Sequence, residues 1–85
     1  MARDKTDTAA SEQKVEAVER ALTILNAFGD GSASLSLGDL AERTTLYRST
    51  ILRLAASLER FGYLNRGVDG RFRLGPTLWR LGVQY

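Results

Sequence analysis

A chain of 85 residues suffices for one small domain, and without cysteine or histidine it offers no disulfide, none of the usual zinc constellations and few nucleophile–base pairs, so no enzyme, metal or cofactor is expected. No apolar run approaches the roughly 20 residues of a bilayer span and the N-terminus has no signal-peptide pattern, so no membrane is expected, and the absence of cysteine fits a reducing cytoplasm. The net charge of +2 hides an asymmetry: residues 1–42 carry four bases and eight acids, whereas residues 43–85 carry eight bases and two acids, the footprint of a phosphate-binding surface or of a solvated basic face.

Residues 1–13 mix both charges with Thr, Ala and Ser, show no apolar period and read as a disordered tail. A helical period then runs through Val15, Val18, Ala21, Leu22, Leu25 and Phe28, with Glu16, Glu19, Arg20, Thr23 and Asn26 on the opposite face. Gly29-Asp30-Gly31 ends that first helix. GDGSASLS is a loop with a short extended piece at 33–35, and Ser36-Leu37-Gly38-Asp39 has the form of a capping box. It opens a short second helix from Leu37 to about Arg43, with Leu37, Leu40 and Ala41 inward.

Thr44-Thr45-Leu46 interrupts the pattern, and a third helix, about 46–61, carries Ile51, Leu54, Ala55, Leu58 and Phe61 on one core-facing arc before Gly62 stops it. A short helix, a tight turn and a longer helix make the helix-turn-helix outline. Residues 63–66 and 71–74 alternate around Gly67-Val68-Asp69-Gly70, which predicts a β-hairpin with Leu64, Phe72 and Leu74 inward and Arg71 and Arg73 outward. Gly75-Pro76 breaks the strand and starts a last helix over 76–85, a linker or dimerisation element that stops in apolar residues, as a chain cut from something longer would. The whole is mainly α with a small β-hairpin: a winged helix-turn-helix over 14–75, followed by the start of a linker helix.

The outer face of the third helix collects Arg48, Ser49, Thr50, Leu52, Arg53, Ala56, Ser57 and Arg60, and after Glu42 the next carboxylate is Glu59. An arginine in a first helical turn opposes the helix dipole, so its placement suits an anionic partner. Arg48 and Arg53 can fork to guanine or grip phosphate, and Ser49 and Thr50 are short enough for the helix to approach a major groove closely. Leu52 is either an ordinary exposed leucine or a contact to a thymine methyl. Ser57 and Arg60 meet backbone or water. Tyr47 points coreward if already helical, and otherwise lies outside, within reach of phosphate or base. Arg71 and Arg73 project from the hairpin as a wing would, toward a neighbouring minor groove.

VERALTILNAF, LSLGDLAERTTL, RSTILRLAASLERFGYL and DGRFRLGPTLWRLG, in that order and spacing, closely resemble the N-terminal domain of the IclR family of bacterial transcription regulators, over roughly residues 14–82. The resemblance implies sequence-specific binding of palindromic, double-stranded promoter DNA by a homodimer or higher oligomer. It also implies a C-terminal domain, absent from this chain, that binds a small-molecule effector. Carried onto this chain, the recognition-helix contacts become Arg48, Ser49, Thr50 and Arg53. Two positions depart from the family pattern: Thr45 stands where glycine is common, and Tyr47 where proline is common. Thr45 would cap the third helix through its hydroxyl, and Tyr47 adds an aromatic at its entrance, so both join the candidate DNA-binding residues. A winged-helix module that packs its third helix on an acidic protein partner is the alternative reading.

Overall fold

The computed structural model describes residues 15–85, so the disordered tail expected over 1–13 lies outside the described residues. The first helix, α1, spans Glu16–Asn26 and starts with Glu16 and Glu19, acids that complement the helix dipole. Its buried stripe runs through Ile24 and Phe28, with Leu25 and Ala27 packed beside them. The helical period places Val15, Val18 and Leu22 inward; the structure leaves all three exposed, Leu22 at 52%. The reason is geometric. Apolar residues cover more of the circumference of α1 than so small a core can receive, and the core takes the side centred on Ile24. Gly31, with φ 87°, supplies the left-handed turn that follows.

The loop after α1 reaches Leu35, which exchanges two backbone hydrogen bonds with Phe72 at 2.9 and 2.8 Å. The second helix, α2, spans Leu37–Thr44. Its capping box is formed: Asp39 N–H donates to Ser36 Oγ, and Ser36 N–H donates to the Asp39 carboxylate, both at 3.0 Å. Loss of such a cap costs about 1 kcal/mol. At the other end the buried Thr44 hydroxyl donates to the Leu40 carbonyl at 2.6 Å and accepts Leu46 N–H at 3.2 Å.

The third helix, α3, spans Arg48–Arg60. Thr45 does not cap it. Thr45 is the C-terminal cap of α2, in the left-handed region at φ 59° and ψ 21°, a conformation glycine adopts without penalty. Tyr47 holds the N-cap position of α3 without a side-chain cap bond, at φ −68°, the angle to which proline is locked. The turn therefore keeps the backbone that glycine and proline would favour, although neither residue is present. Ile51, Leu54 and Ala55 of α3 are buried, and Leu58 packs at the core margin. Phe61, expected inward, is exposed at 70%, because it follows the last helical residue, where the chain turns away. Gly62 at φ 84° completes that turn, with Tyr63 N–H bonded to the Leu58 carbonyl in the six-residue closure of a Schellman motif.

Strands β1 (Leu64–Arg66) and β2 (Phe72–Leu74) pair antiparallel, Leu64 opposite Leu74 and Arg66 opposite Phe72. Leu64 and Phe72 are fully buried. Leu74, expected inward, is 45% exposed although it pairs with the buried Leu64. Gly75 then passes so close to Gly62 that a Cβ would meet the Gly62 carbonyl. The last helix, α4, spans Pro76–Gly82, with proline at its first position and no buried residue. It is held at its start, where Thr77 donates from N–H to the Gly62 carbonyl and from Oγ1 to the Phe61 carbonyl, both at 3.0 Å. Three helices with a hairpin wing therefore surround one core, and α4 leaves from beneath the end of α3.

Candidate nucleic-acid interface

Because Ile51, Leu54 and Ala55 turn one face of α3 to the core, Arg48, Ser49, Leu52, Arg53, Ala56 and Ser57 are turned outward, with Thr50 half-buried at the edge. The first turn of α3 has no acid. Four other arginines have carboxylate partners: Arg20 with Glu16, Arg43 with Asp30, Arg71 with Asp39 and Arg73 with Asp69. Arg60 and Arg80 donate instead to the hydroxyls of Ser57 and Thr77, and Arg66 lies over Phe72. Among the described residues, no carboxylate lies within ion-pair distance of Arg48 or Arg53. Both residues are exposed, and Arg48 stands in the first turn, where the helix dipole disfavours a cation and favours an anion.

Arg48 is not fully extended. Its guanidinium lies over the first turn of α2, where a Cβ on Gly38 would stand 3.4 Å from Nη2. Gly38 weakens α2 by roughly 1 kcal/mol relative to alanine, and a Cβ there would make only ordinary contact with the Arg48 guanidinium. Leu52 is exposed and outside the core cluster, as both readings of it require. Of the two placements open for Tyr47, the structure takes the outward one, with the residue 83% exposed. Tyr47, Thr45, Leu46 and Thr50 line one side of a cleft at the N-terminus of α3, and Arg20 of α1 lines the other. Arg20 is a residue that periodicity assigns only to the solvent face of α1; its proximity to the entrance of α3 depends on how the two helices pack.

The wing departs from expectation. Arg71 and Arg73 do not project freely: each is bound within the protein. Arg71 Nε donates to Ser34 Oγ at 2.8 Å, its Nη2 donates to the Ser34 carbonyl at 3.2 Å, and the same Nη2 stands 3.7 Å from Asp39 Oδ2. Arg73 grips Asp69 with both terminal nitrogens, at 3.0 and 3.4 Å, and donates to the Arg71 carbonyl at 3.3 Å. The hydrogen bonds from Arg73, with the backbone N–H of Arg71, pull the Asp69 carboxyl down from 3.8 to about 2. The Asp39 carboxyl is also lowered, first by the Ser36 hydrogen bonds of the capping box and then by the nearby Arg71 charge. Arg66 lies over the Phe72 ring, 5.0 Å from its centroid, and shields the base of the wing. Thus Arg48 and Arg71 converge on the first turn of α2, at Gly38 and Asp39, while Arg53 lies farther along α3 and Arg73 stays within the hairpin. Ser34, the main partner of Arg71, carries no local signal: it is 37 residues away in sequence.

The model of the IclR helix-turn-helix domain matches residues 17–67, from α1 through the first strand of the wing. The HTH-type transcriptional regulator TtgV of Pseudomonas putida is 38% identical over 68 residues, covering 79% of this chain and 26% of that protein. The HTH-type transcriptional regulator XynR of Escherichia coli is 33% identical over 69 residues, covering 80% of this chain and 27% of its own length. The crystal structure of an IclR family transcriptional regulator from Brucella abortus superposes with a TM-score of 0.77 at 31% identity, over 89% of this chain and 30% of the other. The chain therefore spans about a quarter of the length of these curated relatives.

Proposed function

Because the chain belongs to the IclR helix-turn-helix family, a family of transcriptional regulators, we propose that it reads double-stranded promoter DNA by laying α3 in the major groove. Arg48 and Arg53 are the principal contacts, forking to guanine edges or phosphates, and Ser49, Thr50 and Leu52 approach the bases between them. Thr45 and Tyr47 meet the DNA at the helix entrance, where the free N–H groups of the first turn and Arg20 across the cleft suit a backbone phosphate. Arg73 serves the wing, exchanging its bond to Asp69 for a phosphate. The observation that carries this reading is the acid-free first turn of α3, on which Arg48, and Arg53 beyond it, are exposed with no carboxylate within ion-pair distance among the described residues. Nothing observed favours the interaction-module reading over this one.

The target is a palindrome bound by a two-fold symmetric pair of subunits. The surface for the second copy is the apolar margin the core leaves uncovered, Val18 and Leu22 of α1, Phe61, and Trp79 and Leu81 of α4. A small-molecule effector binds a C-terminal domain that follows α4 in the whole protein, which acts in the bacterial cytoplasm. Titrating a labelled duplex, selected by the chain from a random pool, tests the assignment of α3. R53A should lose about 1–3 kcal/mol on the selected duplex and less on a random one. Equal affinity of R53A and wild type on both duplexes would contradict it.

A further inference from the structure

We propose that Arg71 is a positioning residue, a clasp that fixes the wing to α2 through Ser34, and that it keeps this role on DNA instead of contacting a phosphate. The inference rests on the reading of α3 and the wing as the DNA interface, and it changes the role expected for Arg71 in that interface.

A hairpin with three residues per strand has little stability of its own and needs tethers to hold one orientation. The backbone bridge between Leu35 and Phe72 is the tether at its base. Arg71 is the next residue outward, and it is tied on both sides. Its backbone binds the turn: the N–H donates to Asp69 Oδ1 at 3.0 Å, and the carbonyl accepts Gly67 N–H at 2.9 Å. Its side chain binds the body of the domain, with Nε on Ser34 Oγ and Nη2 on the Ser34 carbonyl. Turning the guanidinium toward DNA would break both side-chain bonds at once, since the planar fork makes them together.

The carboxylate beyond it adds attraction but is not available to follow. Asp39 is committed to the cap of α2, accepting Ser36 N–H at 3.0 Å, so Arg71 is drawn to a fixed point on that helix. The same first turn of α2 lies under the Arg48 guanidinium at Gly38. One turn of α2 therefore sets the reference for both the wing and the first contact residue of α3. The angle between wing and α3 follows from the clasp, and that angle decides whether both reach their grooves together.

Side-chain isosterism gives the test. In R71Q the amide Nε2 takes the place of arginine Nε, so the bond to Ser34 Oγ survives while the charge is lost. Affinity for the selected duplex, its salt dependence and thermal unfolding would be measured for wild type, R71A, R71Q, S34A and the R71A/S34A double variant, with all binding read well below the unfolding midpoints. A clasp predicts that R71A and S34A each weaken binding by about three- to tenfold, as loss of one or two hydrogen bonds would. It predicts that the double variant is no weaker than R71A. It also predicts that R71Q recovers most of the affinity with an unchanged salt slope. A phosphate contact predicts the opposite and overturns the proposal: R71Q as weak as R71A, a slope shallower by about 0.9 per half-site, and S34A without effect. Unfolding shifts without any change in affinity overturn it too. Should the wild-type chain retard no duplex, the interface reading fails, and the clasp is then decided by the Arg71 Nε–H resonance of the free protein. Slow exchange of that proton in wild type and fast exchange in S34A support the clasp; fast exchange in both overturns it.

Discussion

Thr45 shows how far a single residue can depart from its local preference when the surroundings hold it. A β-branched side chain in the left-handed region carries roughly 1–2 kcal/mol of strain, and the fold retains it because Thr44 on one side and the N-cap of α3 on the other leave the turn no other course. Replacing Thr45 with glycine removes the strain but frees the unfolded chain, an offset of about 0.4–1 kcal/mol. T45G should therefore stabilise the domain by roughly 0.5–1 kcal/mol, seen as a higher urea midpoint at unchanged slope. A lower midpoint would mean that the left-handed geometry is not strained here. At this scale the sequence was legible where partners are near. Ser36 and Asp39 announced their capping box across three residues. Thr45 caps α2 and not α3, the helix its hydroxyl alone suggests; composition does not say to which of two helices a turn residue belongs. Ser34 could not be found at all, since its bond to Arg71 exists only once the hairpin has folded back over the loop.

Among the elements, α3 was the most legible, because one residue set, Ile51, Leu54 and Ala55, fixes both its buried face and the identity of its outer one. The wing was legible in its turn and pairing but not in its charges. Alternation puts Arg71 and Arg73 on the face away from the core, and that is correct as far as it goes. What alternation cannot show is that an outward arginine beside a turn finds the turn's own carboxylate. Asp69, held by Arg73 and by Arg71 N–H, has its folded pKa depressed from 3.8 to about 2. Its contribution to the wing is thus fully present above about pH 4 and is lost as pH falls through 2. A carboxyl carbon titration by NMR should find the Asp69 midpoint near 2; a midpoint at the ordinary 3.8 would show that the Arg73 pair does not persist in solution. The same pair means that Arg73 must exchange one anion for another on DNA, so the wing contributes less to affinity than an unpaired arginine would.

For the whole molecule, the apolar residues the core leaves out are as informative as those it takes in. Periodicity counted Val15, Val18, Leu22 and Phe61 as interior because it registers only that a helix has an apolar side, not how much of that side the domain can cover. Val18, Leu22 and Phe61, with Trp79 exposed at 70% and Leu81, are the exposed apolar residues proposed to meet a second copy. Sedimentation should show a dimer at high concentration that L22E abolishes without loss of helicity; a monomer throughout would remove these residues from any subunit contact. The charge asymmetry of the two halves, plain from the sequence, now has a place in the structure. Basic residues of the second half ring α3 and the wing, and on the outer face of α3 Arg48, Arg53 and Arg60 are exposed with no carboxylate within ion-pair distance among the described residues.

That asymmetry is tested most directly by the salt dependence of duplex binding. With Arg48, Arg53 and Arg73 each neutralising a phosphate, the logarithm of the binding constant should fall with the logarithm of salt at a slope of about −2.7 per half-site. R48A/R53A should flatten that slope to about −0.9. A wild-type affinity indifferent to salt, or a slope that the double variant leaves unchanged, would contradict the assignment of α3 as the DNA-reading helix.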